Sequence, residues 1–205
     1  MDDAHLVERR LSGEALFHGR LLHVFRDTVR LPDGSIGTRE FVLHPGAVMV
    51  IALLDDATGQ QRLVLERQFR YPVGRIMVEF PAGKIDPGES PWACARRELR
   101  EETGYNARQW ARAGVLHPVS AYSSEAIEIW FARGLRAGPR GLDPGEFLEV
   151  FSTTLDELLH CCRDGRVTDG KTLAAALWLQ NLCSGAWDPA WQQDPDWPED
   201  CGSAG

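Results

Sequence analysis

The sequence predicts a single α/β domain in which helices pack on a β-sheet, with an extra β-hairpin at the N-terminal end. Three observations carry this expectation. A continuous run of Val, Ile and Leu over 47–54 reads as a strand buried on both faces. The segment 91–103 has helix signals at both ends, and two further helical segments follow near 155–163 and 171–182. The chain of 205 residues is long enough to bury one such core and short for two.

Taken in order, residues 1–13 are polar and predict no element. From Leu16 to Leu31 apolar residues recur with a loose alternation, Pro32-Asp33-Gly34 supplies turn chemistry, and Ile36–Leu43 continues extended, so 16–43 reads as a hairpin. After His44-Pro45-Gly46 comes the central strand Ala47–Leu54, with Arg62–Phe69 as its partner and Met77–Phe80 as a further short strand. A turn-rich stretch, 81–90, leads to the helix. Ser90 suits its N-cap, Pro91 its first position and Gly104 its left-handed end, while Trp92, Ala95 and Leu99 form one apolar stripe. Strands are expected at Ala113–Leu116, Ala126–Ala132 and Phe147–Phe151, with a Gly/Pro loop over 134–145. Thr154 and Glu157 form a capping box for a helix ending near Arg163, and a last helix, about Lys171–Leu182, places Leu173, Leu177 and Leu182 on its apolar side. Trp92, Trp130 and Trp178 are expected in the core, whereas Trp187, Trp191 and Trp197 belong to a tail that either covers a partner surface or is disordered. The implied organisation is an N-terminal β subdomain, 1–45, a main domain, 46–185, and a tail, 186–205.

Composition narrows the function. With 22 Lys and Arg against 30 Asp and Glu the formal charge is −8, and the basic residues are dispersed. Binding to a nucleic-acid backbone or an anionic membrane rests on clustered cations, so neither is an expected partner, and an anionic ligand would need metal ions or a local Arg cluster. No apolar run reaches the roughly 18 residues of a membrane-spanning helix. The acidic start Met1-Asp2-Asp3-Ala4-His5 lacks a signal core, and the five cysteines show no paired Cys-x-x-Cys spacing, so a cytoplasmic chain with reduced thiols is the default.

Chemistry concentrates in Gly83–Tyr105, GKIDPGESPWACARRELREETGY. On a helical wheel Glu102 lies about 40° from Glu98, and Glu101 about 60° to the other side. The three carboxylates share a face bordering the Ala95/Leu99 stripe. Like charges so spaced destabilise a bare helix, and an all-oxygen set of this kind suits Mg2+ or Mn2+. Arg97, four before Glu101, can brace that carboxylate. A plain solvated acidic face is the competing reading of the spacing alone.

The surrounding positions weigh against it. Gly83, Glu89, Arg97, Glu98, Leu99, Glu101, Glu102 and Gly104 fall at the spacing of the Nudix hydrolase signature, which this stretch resembles in all eight positions. A chance match has odds on the order of 1 in 10^9 per starting point. Only Tyr105 departs, where the family usually has an aliphatic residue. The flanks Glu66–Pro72 and Glu79–Lys84, then Ser123-Ser124-Glu125 and Gly145–Val150, are similar to the ADP-ribose pyrophosphatase subgroup. The resemblance covers about residues 16–183.

The resemblance implies an α/β/α sandwich with a mixed sheet and Mg2+-dependent cleavage of ADP-ribose to AMP and ribose 5-phosphate. It assigns metal ligation to the Ala82 carbonyl, Glu98 and Glu102, with Glu101 close by, and a bracing role to Glu89. Glu146 matches the catalytic base on a mobile loop, with Glu149 as runner-up. Arg70 becomes a phosphate ligand, and Arg39 and Glu40 match adenine contacts made across a homodimer that exchanges the N-terminal hairpin. Hydrolysis of another nucleotide sugar, such as a GDP-sugar or ADP-glucose, is the close alternative. A Nudix-fold sensor that binds nucleotide without cleaving it is the more distant one.

Overall fold

A computed structural model of the chain describes residues 3–198. Met1, Asp2 and the end of the expected tail, with Cys201, lie outside the described residues. The chain divides into two compact units, one holding the residues up to Gly46 together with His117–Ala126, the other Ala47–Leu116 and the chain from Ile127 onward.

The first unit is a three-stranded antiparallel sheet of β1 (Arg9–His18), β2 (His23–Arg30) and β3 (Ile36–Leu43), in that order. It corrects two expectations. Residues 9–13, read as structureless, belong to β1, and the run Leu16–Leu31 is broken by a turn closed by the Gly19 amide on the Leu22 carbonyl, 2.9 Å. β1 buries none of its apolar residues, since all ten of its residues are exposed; main-chain pairing to β2 and the Arg10–Asp27 ion pair, 2.8 Å, hold it. Gly13 has no side chain because a Cβ there would lie 1.8 Å from Oδ1 of Asp27.

The second unit is built on an eight-stranded sheet. β4 (Ala47–Asp55) pairs antiparallel with β5 (Gln61–Arg70), as expected, and β6 (Arg75–Glu79) extends from β5 while β7 (Ala82–Lys84) pairs with β4. α1 (Pro91–Glu98) follows, widened into a π-helical turn over Leu99–Thr103. β8 (Tyr105–Leu116) and β9 (Ile127–Ala137) are both longer than their apolar cores suggested, since polar residues alternate along the added length. β10 (Leu148–Thr153) precedes α2 (Leu155–Arg163) and α3 (Gly170–Cys183), and a two-residue β11 (Gln192–Gln193) closes on β8. The main path runs β10-β5-β4-β9-β8-β11, with β4 and β9 parallel and the other pairs antiparallel, so the sheet is mixed.

Strand β4 shows why both faces are covered. Met49, Ile51 and Leu53 join a core with Leu158, Ala175 and Leu179 of α2 and α3, while Val48, Val50 and Ala52 join one with Cys94, Ala95 and Leu99 of the motif helix. Helices on both faces of a mixed sheet make the α/β/α sandwich expected from the resemblance. On α3 the expected apolar side is corrected. Leu173 and Leu177 are exposed, and the buried face is Thr172, Ala175, Ala176 and Leu179. Small residues let the helix approach closely, and Thr172 receives the Phe80 amide at 3.3 Å. The tail is corrected as well. Trp187 and Trp191 pack on Phe131 of this chain's own core, so residues 186–198 belong to the second unit. Among the described residues no helix is long and apolar enough to cross a membrane.

Candidate active site

Local signals aim the motif helix. The Ser90 hydroxyl accepts the Ala93 amide at 3.2 Å, Pro91 occupies the first turn, and Gly104 ends the helix at φ +77°. Burial of Cys94, Ala95 and Leu99 fixes the rotation of the helix and brings its acidic side toward β7.

Arg97 organises that side. Its guanidinium donates to both oxygens of Glu89 at 2.9 Å each, to Glu98 at 2.7 Å, to Glu101 at 3.2 Å and to the Lys84 carbonyl at 3.1 Å. The brace expected for Glu101 is present, and it is shared among three carboxylates. The Arg97 hydrogen bonds hold the Glu89 carboxyl down to about 2, and Glu89 also accepts the Asp86 amide, which ties the loop to the helix. A planar fork of five donors does what a lysine ammonium does not.

Glu98 lies directly over Gly83. A Cβ on residue 83 would fall 1.8 Å from Oε1 and 1.9 Å from the carboxyl carbon, so the motif's first glycine is the seat of its glutamate. Burial raises the Glu98 carboxyl above the ordinary range, with Glu101 and Glu146 adding to the effect and Arg97 opposing it. Glu102 is 2% exposed and accepts the Ala82 amide at 2.9 Å. Burial first, then the charges of Glu66 and Glu98, push its carboxyl up. At both positions a lone negative charge is disfavoured, burial being the first cause.

The fit to a divalent ion can be judged from the chain itself. The donors are all carboxylate or carbonyl oxygens, the set preferred by Mg2+, and the Gly83 seat leaves room for Glu98 where any side chain would fill it. Glu66 has both carboxylate oxygens without a hydrogen-bond partner. Among the described residues no three acidic side chains are already closed around one point, since Arg97 draws Glu98 and Glu101 aside and the Ala82 amide draws Glu102. The residues fit the ion as a charge and donor set.

Other expected residues fall as follows. Arg70 makes a two-pronged ion pair with Glu79, 2.8 and 2.9 Å, and its side chain keeps 40% exposure. Glu79 also receives Lys171, whose ammonium lies 3.1 Å from Asp169. Glu146 sits in a turn that returns its amide to the Asp143 carbonyl at 3.0 Å, with Gly145 at φ +91°. Its carboxylate also accepts the Asp143 amide at 3.4 Å. Glu149, on β10, is instead held by Arg67 at 3.2 Å and is largely exposed. Both carboxylates border an open cavity of about 350 Å³ together with Phe69 and Phe147. Arg39 and Glu40 lie in the first unit, where they pair with Glu8 and Arg26.

Sequence reasoning passed over Glu66, Glu79 and Lys171 as functional positions. The one available signal was Glu66 itself, a charge directly after the apolar run Leu63–Leu65 and two residues beyond Val64.

Comparison with known proteins adds an independent line. Residues 43–176 match the NUDIX domain, and residues 8–42 match the nucleoside diphosphate sugar hydrolase N-terminal domain. The chain is 36% identical over 177 residues to the ADP-ribose pyrophosphatase of Bacillus subtilis, covering 85% of this chain and 94% of that one. It is 39% identical over 177 residues to the methanol dehydrogenase activator of Bacillus methanolicus, covering 84% and 92%. A crystal structure of an ADP compounds hydrolase superposes with a TM-score of 0.77 at 25% identity, covering 87% of this chain and 95% of that one.

Proposed function

The chain belongs to the NUDIX family, and from that membership we propose that it hydrolyses the pyrophosphate bond of ADP-ribose to AMP and ribose 5-phosphate, using Mg2+ or Mn2+. The observation that carries this proposal is the half-buried Glu98, seated over Gly83, together with the buried Glu102 on the same helix. A bound divalent ion would neutralise charge on the pyrophosphate and make water a better nucleophile. Glu98, Glu102 and the Ala82 carbonyl would hold the ion, with Glu101 next to them. Arg97 fixes Glu98 and Glu101 in orientation, so that a small side-chain rotation does not scatter the ligands. Glu146 takes a proton onto a carboxylate oxygen as the water oxygen attacks phosphorus and the bridging oxygen departs with the other phosphate. Its turn, with Gly145 as hinge, can close over bound substrate. Arg70 offers the exposed side of its guanidinium to a phosphoryl oxygen while Glu79 holds the other side.

Arg39 and Glu40 are proposed adenine contacts contributed by a second copy. The first unit supports a homodimer, since Leu11, Leu16, Phe17 and Ile36 are exposed on its three-stranded sheet. A cytoplasmic setting agrees with the unpaired Cys94, Cys161, Cys162 and Cys183. The test is a panel of ADP-ribose, ADP-glucose and a GDP-sugar assayed with Mg2+ and with excess EDTA, resolving the products. ADP-ribose should be split fastest, only with metal, and Glu102→Gln should lower kcat by at least two decades, on the order of 3 kcal/mol. Undiminished turnover in EDTA removes the proposal, and preference for another sugar moves it to the neighbouring specificity.

A further inference from the structure

Strand β5 sends alternate side chains to opposite faces of the sheet. Leu63 and Leu65 enter the core under α2 and α3, whereas Val64 enters the core under the motif helix. Glu66, two residues beyond Val64, continues on the motif-helix side. It is fully buried, with 0% exposure, and neither carboxylate oxygen has a hydrogen-bond partner. The nearby cations do not satisfy it. Arg70 and Lys171 are both committed to Glu79, the residue opposite Glu66 on β6. Burial, and next the charge of Glu66, raise the Glu102 carboxyl above the ordinary range. A buried carboxylate without donors is destabilising, and a second buried carboxylate nearby, Glu102, adds to the cost although it accepts the Ala82 amide. An ordered water would offer donors to Glu66 without neutralising the pair.

We propose that Glu66 is a further carboxylate of the divalent-cation site, directed from the sheet floor at the same ion that Glu98 and Glu102 hold from the helix. The cation supplies the positive charge that Glu66 lacks, and the β5 carboxylate gives the site a rigid wall, since a strand paired on both edges does not yield as a helix-borne side chain does. Glu66 lies outside the motif and touches the reaction through the ion. This inference rests on the metal-dependent reading above.

The test is substrate-free Mn2+ titration of the full chain, following free Mn2+ by electron paramagnetic resonance, for the wild type, Glu66→Gln, Glu66→Asp and Glu102→Gln. Glu66→Gln should bind Mn2+ at least tenfold more weakly. Its melting temperature in EDTA should match or exceed that of the wild type, while the rise on adding Mn2+ shrinks. Should Glu66→Gln fail to fold, Glu66→Asp, which keeps the charge but withdraws it by one methylene, should show a several-fold loss. Wild-type affinity in the folded Glu66 variant, alongside a loss in Glu102→Gln, overturns this inference alone. No Mn2+ binding by the wild type overturns both this inference and the proposed function.

Discussion

Gly83→Ala separates the site's geometry from the stability of the fold. Gly83 carries no positive φ among the values that mark the left-handed glycines, so alanine strains no backbone there. Its Cβ, however, would stand 1.9 Å from the carboxyl carbon of Glu98, where ordinary contact begins at 3.4 Å. The carboxylate must retreat by the difference, about 1.5 Å, and loosen its 2.7 Å bond to Arg97. Because the displaced atoms are the far end of a flexible side chain, the folding cost should stay within about 1 kcal/mol. A ligand moved by more than 1 Å should lower kcat/KM for ADP-ribose about a hundredfold, or roughly 2.7 kcal/mol. Gly88→Ala is the matched control, since at φ +83° with nothing within 4 Å it should lose about 1–2 kcal/mol of stability and leave Mg2+ dependence unchanged. Kinetics across a Mg2+ series and melting curves read both effects. If Gly83→Ala keeps kcat/KM within threefold of the wild type at every Mg2+ concentration, Glu98 does not need its seat and the metal assignment fails.

Glu146→Gln should lower kcat by about two decades with substrate affinity retained, and Glu149→Gln should do much less; the reverse order transfers the base to Glu149. Light scattering should give about twice the 22.9 kDa chain mass, and a fully active monomer removes the homodimer and the shared adenine contacts. Burial works to raise the Glu79 carboxyl, but the Arg70 hydrogen bonds and the Lys171 charge outweigh it and leave it lowered. A lowered carboxyl contributes stability above its unfolded value, 4.5, and loses that contribution as pH falls toward its folded one. Glu79→Gln should therefore cost roughly 3 kcal/mol at pH 7, near the low end because Arg70 keeps access to water, with the gap from wild type narrowing below about pH 4. A constant gap from pH 7 to pH 3 would contradict the ion-pair account.

What could be read in advance follows from which forces are local. Ser90, Pro91 and Gly104 act on their own helix ends, so α1 was legible from its letters, and the unbroken apolar run of β4 announced a strand covered on both sides. β1 was not legible, because its order comes from pairing with β2 and from Arg10 meeting Asp27 seventeen residues away. On α3, periodicity located the helix but not its docking face. Two leucines one turn apart outweighed Ala175 and Ala176 in the pattern, yet close approach favours the alanines. The motif carboxylates were legible as a group because four-residue spacing is a helical neighbour relation. Glu66 was not, because Glu102 comes from another element and a glutamate that follows an apolar run and precedes Arg67 and Gln68 reads as solvent-facing. The tail tryptophans likewise acquire their role only when Phe131 is in place to receive them.

The ribbon after α3 reaches back to the motif helix. Arg133 stacks on Trp191, β11 pairs with β8, and Arg96 of α1 grips both Asp194 and Asp196 at 2.8 Å. Arg96 is the residue before the guanidinium on which the glutamates depend. A cut or insertion within the ribbon Trp191–Asp196 would consequently disturb the helix, since pulling on the ribbon pulls on it. For the same reason the ribbon is a good place for a reporter: a fluorophore attached near Trp197 would register events at the acidic cluster about a hundred residues earlier in the sequence.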